Sequence, residues 1–173
     1  MEVAKVAFAE LGTDVSLDEI ARRAGVGIGT LYRHFPTRHA IVEAVYRSEV
    51  EQLAASATRL LGTLPPGEAL HEWMRLFVDY VATKKVMASA LGSIVGSTTE
   101  LYATSTALIT NAMMLLVDRA AANGDIRPDV DPNDLLRGLV GFTYGNASPE
   151  WQASARRLID MLMDGLRSSR AVD

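Results

Sequence analysis

The chain has 173 residues, 49% hydrophobic and 22% charged, a balance that supports a packed core and excludes an intrinsically disordered chain. It contains no cysteine, so disulfides, thiolate metal sites and cysteine nucleophiles are excluded. The net charge is −4, but residues 1–47 balance six basic against six acidic side chains and the remainder holds the whole deficit, so contact with phosphate falls to the first segment.

In chain order the sequence reads as helices, about nine of them, with caps and breakers at their ends and no period-two stretch long enough for a strand. Val3, Val6, Ala7 and Leu11 share a face of a first helix that Gly12 ends. Ser16-Leu17-Asp18-Glu19 is a capping box, with the serine capping and the glutamate reaching back to the serine N–H; Ser97-Thr98-Thr99-Glu100 repeats the device. Asp131-Pro132 and Ser148-Pro149 each place a cap before a proline at the first helical position. Gly62 and Gly124 follow long periodic segments as stops. The apolar run 107–117 is broken by Thr110 and Asn111 and is too short to span a bilayer. The N-terminus lacks a signal-peptide layout. A cytoplasmic protein without a membrane partner is expected.

The stretch Ser16 to Arg38 carries the function. Leu17, Ile20, Ala21 and Ala24 form the buried face of a short helix, and small Ala21 permits a steep, close crossing. Gly25 allows a sharp turn, Val26 packs into the angle, and Leu31 and Phe35 anchor a second short helix ended by Pro36. That is the pattern of a helix-turn-helix, whose second helix enters the major groove. Gly27, Ile28, Gly29 and Thr30 start this recognition helix. Its two glycines cost stability, about 1 kcal/mol each in a helix interior, which close approach of backbone to DNA would explain.

Leu17-x-x-Ile20-Ala21, Ala24-Gly25-Val26, Thr30-Leu31-Tyr32-x-His34-Phe35 and the basic Arg38 together resemble the TetR family of transcriptional regulators. The resemblance implies an all-α chain with a three-helix helix-turn-helix domain (residues 1–47) and a helical sensor and dimerisation domain (residues 48–173). It implies that Tyr32 and His34 donate to phosphates. Thr37 and Arg38 offer a hydroxyl, free N–H groups and a cation to another phosphate, Arg33 reaches a base or a phosphate, and Ser16 touches the backbone. Gly27-Ile28 stands where many members carry Ser-Lys. The basic arm that often precedes the first helix is absent or lies upstream. Modest affinity and a shallow salt dependence follow from both.

Beyond residue 48 the expected sensor pocket draws on Trp73, Phe77, Tyr80, Met87, Asn111 and Met113, although such residues at helical spacing are more often plain core. Gly138, Gly141 and Gly145 permit close helix packing, and Trp151, Leu158, Leu162 and Leu166 belong to a wide apolar face on the final helix. Together these are the expected dimer interface. His34, His39 and His71 show no metal-ligand spacing. Gly25-x-Gly27-x-Gly29 follows a helix rather than a strand, which excludes a nucleotide loop. No nucleophile elbow or metalloprotease motif occurs, so neither enzyme activity nor a cofactor or metal is expected. The expected partners are double-stranded DNA bearing a pseudo-palindromic operator, a second copy of the chain, and an unidentified small-molecule effector that releases the repressor.

Overall fold

The computed structural model describes residues 1–92, 98–145 and 148–167. Eight helices are present among them: α1 (Glu2–Leu11), α2 (Leu17–Ala24), α3 (Ile28–His34), α4 (Arg38–Leu61), α5 (Pro66–Gly92), α6 (Thr98–Ala122), α7 (Pro132–Tyr144) and α8 (Trp151–Leu166). Long unbroken helices, 27 residues in α5 alone, account for a number slightly below the nine expected.

Several ends form as the sequence dictates. Gly12 ends α1 at φ 78°, and Gly124 follows α6 at φ 77°, both in the region that favours glycine. Asp131 caps α7 by accepting from the Asn133 N–H, with Pro132 opening the helix. The Ser148-Pro149 start is displaced: the Ser148 carbonyl accepts from the Trp151 N–H at 3.1 Å, closing a turn with proline at its second position. Helix α8 therefore begins at Trp151, not Pro149. The second capping box involves Ser97, which lies outside the described residues. In α1 the buried face is Ala4, Ala7 and Phe8, whereas Val6 and Leu11 are exposed. The buried face is the one that carries the bulky Phe8 side chain, not the one that carries Val6 and Leu11.

The chain forms two compact units. The first combines Met1–Glu51 with Ala82–Ser105, so the helix-turn-helix shares its unit with parts of α5 and α6. Its core includes Phe8, Ile20, Leu31, Val42, Tyr46, Met87 and Leu91. The second takes residues 52–81 and everything from 106 onward, with Trp73, Met74, Met113, Leu116, Leu139 and Ile159 fully or nearly fully buried. Within it α7 packs on α8. Segment Glu100–Ala122 has the length and hydropathy of a bilayer span, contrary to the expectation from the broken 107–117 run. Its Ile109, Met113, Leu116 and Ala120, three or four residues apart, are buried, which marks a core helix.

Candidate nucleic-acid interface

Helices α1, α2 and α3 pack consecutively in the first unit. Ser16 starts α2 from an extended conformation, its Oγ accepting from the Glu19 N–H at 3.1 Å. Only this half of the capping box forms, because the Glu19 carboxylate turns to arginines instead. Arg22 meets it through Nε at 2.8 Å and Nη2 at 2.6 Å, and Arg23 through Nε at 2.8 Å. Arg23 also donates to Glu10 of α1 at 2.6 Å. The hydrogen bonds from Arg22 and then Arg23 hold the Glu19 carboxyl at about 2, and both guanidinium groups are held above their ordinary range by the same contacts. The two α2 cations are thus paired, which lowers what they offer to phosphate.

Gly25 adopts φ 67°, ψ 27°, the left-handed turn the motif requires, and the Val26 N–H returns to the Ala21 carbonyl at 3.1 Å. Leu17, Ile20, Ala21 and Leu31 are buried as expected. Ala24 and Val26 are not: they flank the Gly25 turn and both are exposed, Val26 by 42%. Phe35 is half-buried.

Gly27 opens α3, its carbonyl accepting from the Thr30 and Leu31 N–H groups. A Cβ on Gly29 would meet nothing within 4 Å, and on Gly27 only Thr30 Oγ1 at 4.0 Å. Neither glycine has a positive φ. Among the described residues no side-chain packing requires them.

Helix geometry places Gly29 and Arg33 opposite the buried Leu31, with Tyr32 and Thr30 flanking. Tyr32 is 47% exposed and Ile28 36%; His34 is also exposed. Arg33 folds back on its own helix, Nε to the Gly29 carbonyl at 3.3 Å and Nη2 to Thr30 Oγ1 at 3.0 Å. Thr37 caps α4 by accepting from the Ala40 N–H at 3.1 Å, which leaves its hydroxyl proton available. Arg38 does not simply project outward. Its Nη1 donates to the Val15 carbonyl at 2.6 Å and also to the Thr13 carbonyl.

Two features of this unit carry no local sequence signal. Lys5 of α1 pairs with the nearly buried Glu49 of α4 at 2.7 Å. Lys84 Nζ lies 5.9 Å and 5.2 Å from the ring centroids of Tyr46 and Tyr102, which meet edge to face. Burial raises the Tyr102 phenol, with Tyr46 adding to it, and burial lowers the neighbouring Lys85 ammonium.

In the second unit Trp73, Phe77 and Tyr80 form a buried aromatic run, with centroids 6.0 Å and 5.7 Å apart along it. The Trp73 indole N–H donates to the Leu53 carbonyl at 2.9 Å. Met113 is fully buried, Asn111 is exposed, and Met87 belongs to the first unit. An open cleft of about 390 Å³ lies elsewhere in the second unit, near Gly67, His71, Asp125 and Asp160. None of the expected sensor residues lines it.

On α7 and α8 the open side differs in part from expectation. Gly138 and Gly141 face open space, whereas a Cβ on Gly145 would lie 2.7 Å from the Gly141 carbonyl. Leu158 is 36% exposed, Trp151 and Leu162 are half-buried, and Leu166 is buried in its own chain. Val140, Tyr144 and Met161, exposed by 42%, 49% and 69%, complete the apolar stripe. Their three- and four-residue spacing with Gly141 and Leu158 was readable in the sequence.

A three-helix head whose third helix, α3, lies exposed behind a left-handed glycine turn defines a helix-turn-helix DNA-binding regulator. Residues 1–45 match the model for bacterial regulatory proteins of the tetR family, and residues 65–168 match the SbtR-like transcriptional regulator C-terminal domain. The structure resembles the TetR transcriptional regulator SCO0520 from Streptomyces coelicolor at 46% identity and TM-score 0.88, covering 97% of this chain and 96% of that one. It resembles the TetR regulatory protein from Mycobacterium vanbaalenii at 36% identity and TM-score 0.80, covering 96% and 91%. A further match, 40% identical over 47 residues, is to the HTH-type transcriptional regulator SAR0097 of Staphylococcus aureus and spans a quarter of each chain. The chain belongs to the TetR family of transcriptional regulators, DNA-binding proteins that act as dimers.

Proposed function

We propose that this regulator is a repressor whose dimer reads a pseudo-palindromic operator and leaves it when a small molecule binds residues 48–173. Residues 1–47 form the reading domain in this reading, and a cytoplasmic location follows from its need to reach DNA. Ser16, Gly27, Ile28, Gly29, Thr30, Tyr32, Arg33, His34 and Thr37 meet the DNA, and Arg38 stands at the rim. The observation that carries it is the pair of glycines at the start of α3, which internal packing does not require. The open space at both positions leaves room for a surface from outside the chain, and base edges reached by backbone and short side chains fit that room. Ile28 suits a thymine methyl; Tyr32, His34 and Thr37 suit phosphates.

The second copy covers the stripe of Val140, Gly141, Tyr144, Leu158 and Met161, with Gly138, Trp151 and Leu162 beside it. A two-fold contact of this kind sets two recognition helices about 34–36 Å apart, one turn of DNA. Trp73, Phe77, Tyr80 and Met113 are the proposed effector contacts. The three aromatic rings are already packed in a run and Met113 is fully buried, so an effector must replace side-chain contacts rather than fill a void. It releases DNA only by binding the non-operator state more tightly.

Selection of bound sequences from random duplex DNA, at stated salt and with competitor, tests the reading. An inverted repeat with fixed half-site spacing is expected, and Tyr32→Ala should weaken binding to it while leaving the dimer intact. Recovery of unspecific sequences alone would reject operator reading.

A further inference from the structure

We propose that Arg38 is a positioning residue of the reading head rather than a phosphate ligand: it fastens the start of α4 to the loop that launches α2. The inference rests on the reading that Gly27 to His34 face DNA. The loop between α1 and α2 spans residues 12–16, and its Thr13 and Val15 are 9% and 8% exposed. Carbonyls so nearly buried need donors, and one Arg38 nitrogen serves both. A phosphate that drew the whole guanidinium outward would pull Nη1 off both carbonyls and strand two acceptors. Val15 directly precedes Ser16, the α2 cap, so where the loop sits decides where α2, and with it α3, begins.

Ile41, Val42, Val45 and Tyr46 already bury this part of α4 in the core of the first unit. A second polar tie, Lys5 to Glu49 at 2.7 Å, adds to that packing. Glu49 lies eleven residues beyond Arg38 on the same helix, about 16 Å along its axis. It is 8% exposed, a carboxylate that depends on its partner. Held at Arg38 and Glu49 as well as by that core, residues 38–49 of α4 and the head turn together.

The test uses the full chain, as Arg38→Lys and Arg38→Gln, with the duplex recovered by selection as probe. Lysine keeps the cation and three donors but ends one bond short of Nη1, so it falls short of carbonyls that take the full length of arginine to reach. Amide exchange at Thr13 to Ser16 in the DNA-free protein should accelerate by about tenfold or more in both variants. Duplex affinity should fall by about fivefold or more at every salt concentration, with the slope of log affinity against log salt unchanged from the parent. A slope shallower by about 0.9 in Arg38→Gln, the signature of one lost phosphate contact, overturns the proposal. Parent-like affinity in Arg38→Lys, or unaltered loop exchange, also overturns it. Should Arg38→Gln fail to fold, Arg38→Lys decides alone: rescue of exchange and affinity by the retained cation refutes positioning. If the parent itself selects no duplex, the DNA-face reading fails, while loop exchange still judges Arg38.

Discussion

Gly29→Ala separates what the fold needs from what the DNA needs. Gly29 lies in the first turn of α3, with no positive φ and open space where a Cβ would stand. Alanine there keeps the native conformation and narrows the unfolded ensemble, which stabilises by about 0.4–1 kcal/mol. For a chain of this length that raises the melting temperature by about 1–4 °C. The same methyl occupies space that a closely approaching base edge would use. Loss of one good base contact costs about 1–3 kcal/mol, which weakens operator binding by about 5- to 150-fold. Thermal melting of the free protein and fluorescence anisotropy with the selected duplex, at one salt concentration, measure the two effects. The variant should be more stable and a poorer binder. A lower melting temperature would refute the open-space argument, and parent-like affinity would refute close approach at this position.

Four other perturbations follow from particular residues. Met161→Glu puts a charge into the proposed α7–α8 stripe at its most exposed apolar residue, and sedimentation should show folded monomer; an intact dimer would move the interface elsewhere. Asp125 caps α5 in trans, its Oδ2 accepting from the Gly67 N–H at 2.7 Å, so Asp125→Ala should cost about 1 kcal/mol, or about 2–4 °C in melting temperature. Gly67→Ala should also destabilise, since its Cβ would lie 2.8 Å from the Asp125 Cβ; a variant melting at or above the parent would contradict that. Glu19, held at about 2 against an ordinary 4.5, adds stability that is whole above pH 4.5 and is lost as pH falls toward 2. The urea-midpoint difference between parent and Glu19→Gln should stay constant from pH 7 to about 5 and close below that; closure near pH 6 would exclude this pairing as its source.

What the sequence disclosed, and what it concealed, divides by distance along the chain. Ser16, Asp131, Gly12 and Gly25 act on backbone groups within a few residues, so spacing and residue type suffice to place them. The buried faces of α2 and α3 were legible for the same reason at Leu17, Ile20 and Leu31. Residues beside a turn were less so. Ala24 and Val26 carry apolar side chains, but the turn direction that exposes them depends on where the next helix lies. Ser148-Pro149 failed similarly, since Ser-Pro opens a turn as readily as a helix.

The ties that hold the first unit together are the least legible of all. Arg38 reaches back 23 residues to Val15, and Lys5 finds Glu49 across 44 positions. A lone arginine at a helix start looks like a phosphate ligand until its acceptors are seen, and a lone glutamate in a long helix looks like a solvated surface charge. Both ties lie on α4, and each joins it to a different part of the head. The local rules therefore identify a reading head, while the non-local ones, on the proposal above, fix it to the start of α4. A substitution at Glu49, with no route to DNA contact of its own, should accordingly alter operator affinity through orientation. Glu49→Gln should weaken binding equally at every salt concentration. A change in salt slope in that variant would show that the charge acts on the DNA field directly and would detach α4 from the aiming role.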